Sequence, residues 1–208
     1  MIRLKNVCKK INDQIILDNI SMDIETGKCY GIVGRNGSGK TMLFRAICGY
    51  MSIESGEISV GDLIIKGNDQ FITDAGVIIG QPEFLNDLSG FDNLKVLAQI
   101  QNKINDSEIE KALEMVGLYE ERNKKYKKYS LGMKQRLRIA QAIMENPSIF
   151  VLDEPFNGLD KNGVKEMRQL LIEYKAQKRT ILLSSHNEED IKLLCDEIIE
   201  MDGGKIVA

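Results

Sequence analysis

The chain has 208 residues, 43% hydrophobic and 28% charged, a mix typical of soluble globular proteins and enough for one large domain or one with a sizeable insertion. A net charge of −3 argues against a general nucleic-acid binder, which needs a cationic surface to neutralise phosphates. No apolar stretch approaches the roughly 18–20 residues that cross a bilayer, and charges in residues 1–13 occupy the place of a signal peptide's apolar stretch, so any membrane role is expected to come through a partner.

Short strands are predicted first, at Ile2–Val7, Ile15–Leu17 and Ile20–Ile24, the last running to a turn at Thr26-Gly27. Cys29–Val33 reads as a buried strand that enters a glycine-rich loop, and Thr41–Cys48 has helical spacing and stops at Gly49. Ser55–Lys66 reads as a hairpin about Gly61-Asp62, and Gly76–Ile79 as a further strand. From Phe91 to Gly117 the pattern turns helical, with Asn105 or Asp106 capping Ser107–Val116. A second helix, Lys134–Met144, ends at Asn146-Pro147, where proline disfavours continuation.

The continuous apolar run Ile149–Leu152 suits a strand buried on both faces. Helix Lys161–Ala176, strand Thr180–Ser184, helix Glu188–Leu194 and strand Ile198–Met201 complete the alternation. The expected fold class is α/β, with an N-terminal antiparallel β portion and a helical insertion. It forms a single domain over 1–208, with 1–81 and 147–208 as its α/β core and 82–146 as the helical subdomain. The cysteines Cys8, Cys29, Cys48 and Cys195 lack metal-ligand or CxxC spacing; they read as buried thiols of a reduced, cytosolic protein.

The loop Gly34-Arg35-Asn36-Gly37-Ser38-Gly39-Lys40-Thr41 matches the phosphate-binding pattern in full. Its glycines let the backbone curl until N–H groups converge on phosphate oxygens, Lys40 meets the β- and γ-phosphates, and the Thr41 hydroxyl reaches Mg²⁺. A plain glycine turn would not need a buried strand before it and an amphipathic helix after it. Ile149–Leu152 then leads into Asp153 and Glu154. A carboxylate ending such a strand can hold Mg²⁺ opposite the loop hydroxyl, and the next acid can take a proton from an attacking water. Two adjacent acids alone would read as a solvated strand end; beside the loop they read as metal ligand and general base.

In this order the motifs resemble the nucleotide-binding subunits of ATP-binding cassette transporters, over nearly the whole chain. The resemblance implies a P-loop NTPase core and hydrolysis of ATP with Mg²⁺. It implies that Gln81, in Ile79-Gly80-Gln81-Pro82, couples metal and water to the membrane partner. Tyr129–Arg136 looks like the family signature, whose Ser130 and Gly132 would donate to the γ-phosphate held by an opposite subunit. Asn157–Asp160 resembles the loop that crosses the dimer interface. His186, the only histidine, falls where the family keeps a switch histidine; a lone histidine is more often a surface residue, but this one follows an apolar strand in Ser184-Ser185-His186-Asn187.

Two departures stand out. Leu131 and Met133 replace the family's glycine and glutamine in the signature, a form that looks like exporters of peptide antibiotics and other amphipathic drugs. Ile11 occupies the place of the aromatic residue that usually stacks on adenine, and the first aromatic in the chain is the internal Tyr30. The basic stretch Arg122–Tyr129 reads as a solvated loop rather than a nucleic-acid patch, having no matching basic stripe elsewhere. The reading is an ATPase that acts as a homodimer or with a paired subunit, lies peripherally on the inner face of the cell membrane and powers a separate transmembrane permease, in the direction of export. The alternative is a soluble relative acting on DNA or ribosomes, which would usually carry a coiled-coil insertion or a second cassette.

Overall fold

In the computed structural model, which describes residues 1–65, 67, 70–80 and 84–207, an antiparallel sheet is built from strands in the first third of the chain. β1 (Ile2–Ile11) and β2 (Gln14–Ile24) form one long hairpin, where the sequence pattern suggested three separate short strands. Asn12 and Asp13 turn the chain with φ of 48° and 64°, the left-handed pair that a two-residue hairpin loop requires. The apolar alternation breaks because the register shifts between Leu4 and Lys10, with Asn6 and Asn19 also left-handed at the bulges. β4 (Ser55–Val60) and β5 (Leu63–Ile65) complete the order β2-β1-β4-β5 about the expected Gly61-Asp62 turn.

The second sheet holds β3 (Cys29–Val33), β6 (Ala75–Ile78), β7 (Ile149–Asp153), β8 (Thr180–Ser184), β9 (Glu197–Asp202) and β10 (Lys205–Ile206), in the order β10-β9-β3-β8-β7-β6. All its neighbours are parallel except β10 on β9. Parallel strands end on one edge, and ligands of such sheets bind in the crevice beyond the carboxyl ends.

The helices are α1 (Lys40–Ile47), α2 (Gly90–Gln101), α3 (Asp106–Met115), α4 (Leu131–Ile143), α5 (Lys161–Ala176) and α6 (Glu188–Leu194). Asn105 caps α3 in a full capping box with Glu108, choosing between the two caps that the sequence offered. Helix α4 starts three residues before the expected Lys134, because Ser130 caps it by accepting from Met133 N at 3.2 Å.

Alternate residues of β7 and β8 face two cores. Phe150, Leu152, Ile181 and Leu183 pack with Leu94, Leu113 and Leu137 of the helical insertion and with α5. Val151 and Leu182 pack with Leu43 and Phe44 of α1 and with the antiparallel sheet. The wall between the cores ends at Asp153 and Ser184, so packing on both sides fixes where those side chains emerge.

Candidate active site

The loop leaving β3 curls as its glycines allow. Gly34 has φ 145°, and a Cβ there would lie 2.2 Å from the Met201 carbonyl oxygen, so no other residue fits without displacing backbone. The loop ends at Gly39, the N-cap of α1, which offers no side chain to the first-turn N–H groups. A helix start with uncapped donors is an anion site, and the buried Ser38 hydroxyl likewise lacks a partner among the described residues. Lys40, also buried, donates to the carbonyls of Gly34 at 2.7 Å and Arg35 at 3.1 Å. These orphan donors and the buried ammonium converge on one side of a cleft of about 550 Å³ that Asn36, Gly37, Ser38, Gly39, Lys40 and Thr41 line.

β7 and β8 supply the opposite side. Asp153 accepts from Thr41 Oγ1 on Oδ2 at 2.6 Å and from Ser184 Oγ on Oδ1 at 2.6 Å. Hydroxyl and carboxylate thus meet as the sequence suggested, with Ser184 as a third member that it did not single out. Among the described residues no group of three or more His, Cys, Asp or Glu could hold a metal ion. The pair fits a magnesium ion that takes its other ligands from phosphates and water, since Mg²⁺ binds through one or two carboxylates plus substrate oxygens.

Glu154 is next to Asp153 and half-buried, and among the described residues its Oε1 accepts no hydrogen bond. Burial pushes its carboxyl above the ordinary carboxylate range; the nearby His186 charge and backbone N–H oppose this, and Asp153 adds to it. His186 Nε2 lies 3.3 Å from Oε1, and His186 N donates to Oε2 at 3.4 Å. The backbone of Glu154 is left-handed, φ 51°, directly before Pro155, a position that prefers extended backbone. Its N–H is held by Ser184, through the hydroxyl at 3.0 Å and the carbonyl at 3.2 Å.

Other predicted site residues lie elsewhere. Gln81 is outside the described residues. Ile11 sits at the hairpin tip, exposed and paired with Gln14, and is not among the residues lining the cleft; Gln14, Ile15 and Ile16 are. Sequence reasoning also missed Gly203 and Gly204, which line the cleft from the β9–β10 turn; Gly204 N donates to Ser38 O at 2.9 Å and Gly204 O accepts from Asp18 N at 2.8 Å. Ser130 and Gly132, at the start of α4, do not line it. Leu131 beside them is 65% exposed. In the basic stretch, Arg122, Lys124 and Lys127 pair with Glu110, Glu121 and Asp87, which fits a solvated loop. Cys29 and Cys48 are buried, whereas Cys8 and Cys195 are half-buried.

The sheet, the loop and the acidic strand end together define a P-loop nucleotide-hydrolysing protein. The family model described as ABC transporter matches residues 17–157. The uncharacterized ABC transporter ATP-binding protein YybJ of Bacillus subtilis (strain 168) is 42% identical over 206 residues, covering 99% of this chain and 94% of its own. Bacitracin transport ATP-binding protein BcrA of Enterococcus faecalis is 37% identical over 209 residues, covering 100% of this chain and 68% of its own. The dimeric post-hydrolysis structure of the ATP-binding cassette MJ0796 with ADP and Pi has a TM-score of 0.91 at 22% identity, over 100% of this chain and 97% of that one; this likeness is one of fold. The chain belongs to the ABC transporter family. It is an ATP-binding, ATP-hydrolysing component of a transport system, and among the described residues no helix is long and apolar enough to cross a membrane.

Proposed function

We propose that the chain binds ATP with Mg²⁺ in this cleft and hydrolyses it as one half of a head-to-tail dimer, driving export of an amphipathic peptide or drug through a separate permease. The observation that carries the reading is the convergence of Lys40, Thr41, Asp153, Glu154 and His186 where the parallel strands end. Lys40 and the α1 N-terminus bind the phosphates. Thr41 and Asp153 would hold the magnesium ion, which when bound neutralises charge on the phosphate oxygens. Glu154 Oε1 takes the proton of the attacking water, helped by its raised affinity for protons, and His186 keeps that carboxylate oriented. The direction and the class of cargo rest on Tyr129–Arg136 and on the bacitracin transport relative.

A second copy of the chain, or a paired subunit, would contribute Ser130 and Gly132, which do not line the cleft of their own chain. A ligand shifts an equilibrium only by favouring one state; ATP shared between two chains favours the closed pair, and hydrolysis releases it. The chain would work on the inner face of the cell membrane. The test is affinity purification from solubilised membranes. Co-isolation of a polytopic membrane protein, with ATPase activity lost in Lys40→Ala, is expected. Isolation with ribosomes or DNA instead would favour the alternative.

A further inference from the structure

Behind the His186 loop lies a charged cluster that the cleft does not use. Asp190, in the first turn of α6, is 2% exposed. A buried carboxylate is expensive unless paired and fully hydrogen-bonded, and this one is both. Its Oδ1 accepts from Arg168 Nε of α5 at 2.7 Å, and its Oδ2 accepts from Ser185 Oγ at 2.5 Å. Ser185 Oγ accepts in turn from Asn187 N at 3.1 Å. His186 therefore lies between two residues tied to Asp190, while on the other side Ser184 is tied to Asp153 and His186 N to Glu154.

Simple structural roles do not require this arrangement. The cap of α6 is already supplied by Asn187, which accepts from Glu189 N. A second pair, Arg168 with the exposed Glu189 at 2.9 Å, already joins α5 to α6. What the buried pair adds is a fixed position for the Ser185 hydroxyl, and through it for the residue that touches Glu154. We propose that Asp190 is a positioning residue for ATP hydrolysis: the chain Arg168–Asp190–Ser185 locks the loop so that His186 stays against Glu154. The proposal rests on the reading of Glu154 and His186 as the hydrolytic pair.

The experiment compares Ser185→Ala, Asp190→Ala, the double variant and Asp190→Asn in steady-state Mg-ATP hydrolysis, alongside nucleotide binding and thermal melting. Small misplacement of a catalytic group can cost up to a hundredfold, so each alanine variant should lower kcat by about tenfold. KM and ATP affinity should stay within about twofold, since the phosphate loop is untouched. Groups acting through one path are non-additive, so the double variant should be no slower than the singles. Asp190→Asn, which keeps a hydrogen-bonding group facing Ser185, should recover most of the rate.

A merely structural Asp190 would lower Tm and leave kcat per folded site unchanged; that result, or multiplying losses in the double variant, overturns the proposal. If Asp190→Ala does not fold, Ser185→Ala decides alone, a parental kcat counting against. Parental turnover in both Glu154→Gln and His186→Ala would instead sink the hydrolytic reading and this proposal with it. Slow turnover in those two beside parental Ser185→Ala and Asp190→Ala rejects the positioning role only.

Discussion

In the proposed mechanism Glu154 is the base, and its surroundings then set the pH range of the reaction. Only its ionised form can take a proton from water, and burial raises its pKa above the ordinary value of 4.5. Raising an acid's pKa moves loss of the base form to higher pH, so the acid limb of the kcat profile should lie above that value. Removing the opposing influence with His186→Ala should move the limb higher still. A limb at or below the ordinary glutamate range would argue against Glu154 as the base. A second residue-scale expectation concerns the base of the nucleotide. Neither Ile11 nor Ile15 offers an aromatic face, so a stacking contribution of about 1–3 kcal/mol is missing and base-blind phosphate contacts dominate. Dissociation constants should therefore differ little between ATP and GTP, and Ile11→Tyr should tighten both by about fivefold or more. If Ile15→Ala weakens binding while Ile11→Tyr gains nothing, the base rests on Ile15, the isoleucine that lines the cleft.

Among the elements, the contact of α4 with β6 carries the most consequence for function. A Cβ at Gly76 would lie 2.0 Å from the Ala142 carbonyl oxygen and 3.0 Å from the Phe150 ring, so Gly76→Ala must push α4 off the sheet. Overpacking of this kind costs about 1–3 kcal/mol, or about 2–12 °C in Tm for a chain of this size. Because Ser130 caps α4, the same shift should weaken ATP-dependent pairing of chains more than ATP binding; calorimetry and light scattering would separate the two. The sequence made some elements easy to read and others not. Gly34–Thr41, Ile149–Asp153 and the Asn105 cap are local signals, each written within a few residues. The start of α4 was hidden because Leu131-Gly132-Met133 carry no apolar period. The long β1–β2 hairpin was hidden by bulges whose left-handed asparagines broke the alternation. Ile15, Gly203 and Gly204 reach the cleft only through tertiary folding, when the last hairpin closes over the phosphate loop. Nothing near them in sequence announces that meeting, and the same holds for Arg168 beside Asp190.

At the scale of the whole molecule, Ser130 and Gly132 are not among the residues lining their own chain's cleft, and the proposed function assigns them to the cleft of a second chain. Glu154→Gln removes the base while keeping the shape, so turnover should fall by about 10²–10⁴ with ATP still bound. Chromatography of this variant in saturating Mg-ATP should then give a dimer, and without nucleotide a monomer. Adding Ser130→Arg should abolish the dimer without abolishing ATP binding, because bulk and positive charge enter the shared site. A monomer in Mg-ATP for Glu154→Gln alone would count against a shared site.

The left-handed backbone at Glu154 also carries a consequence for stability. A side-chain-bearing residue there, before a proline, sits against two conformational preferences, a burden on the order of 1–2 kcal/mol. Glycine would relieve it and would remove a half-buried carboxylate as well. Glu154→Gly should thus melt a few degrees higher than the parent in nucleotide-free calorimetry while losing hydrolysis. A higher melting point in the glycine variant would mean that the base proposed at this position lowers the stability of the fold. A melting point equal to or below the parent's would show that the Ser184 hydrogen bonds already offset the strain in full.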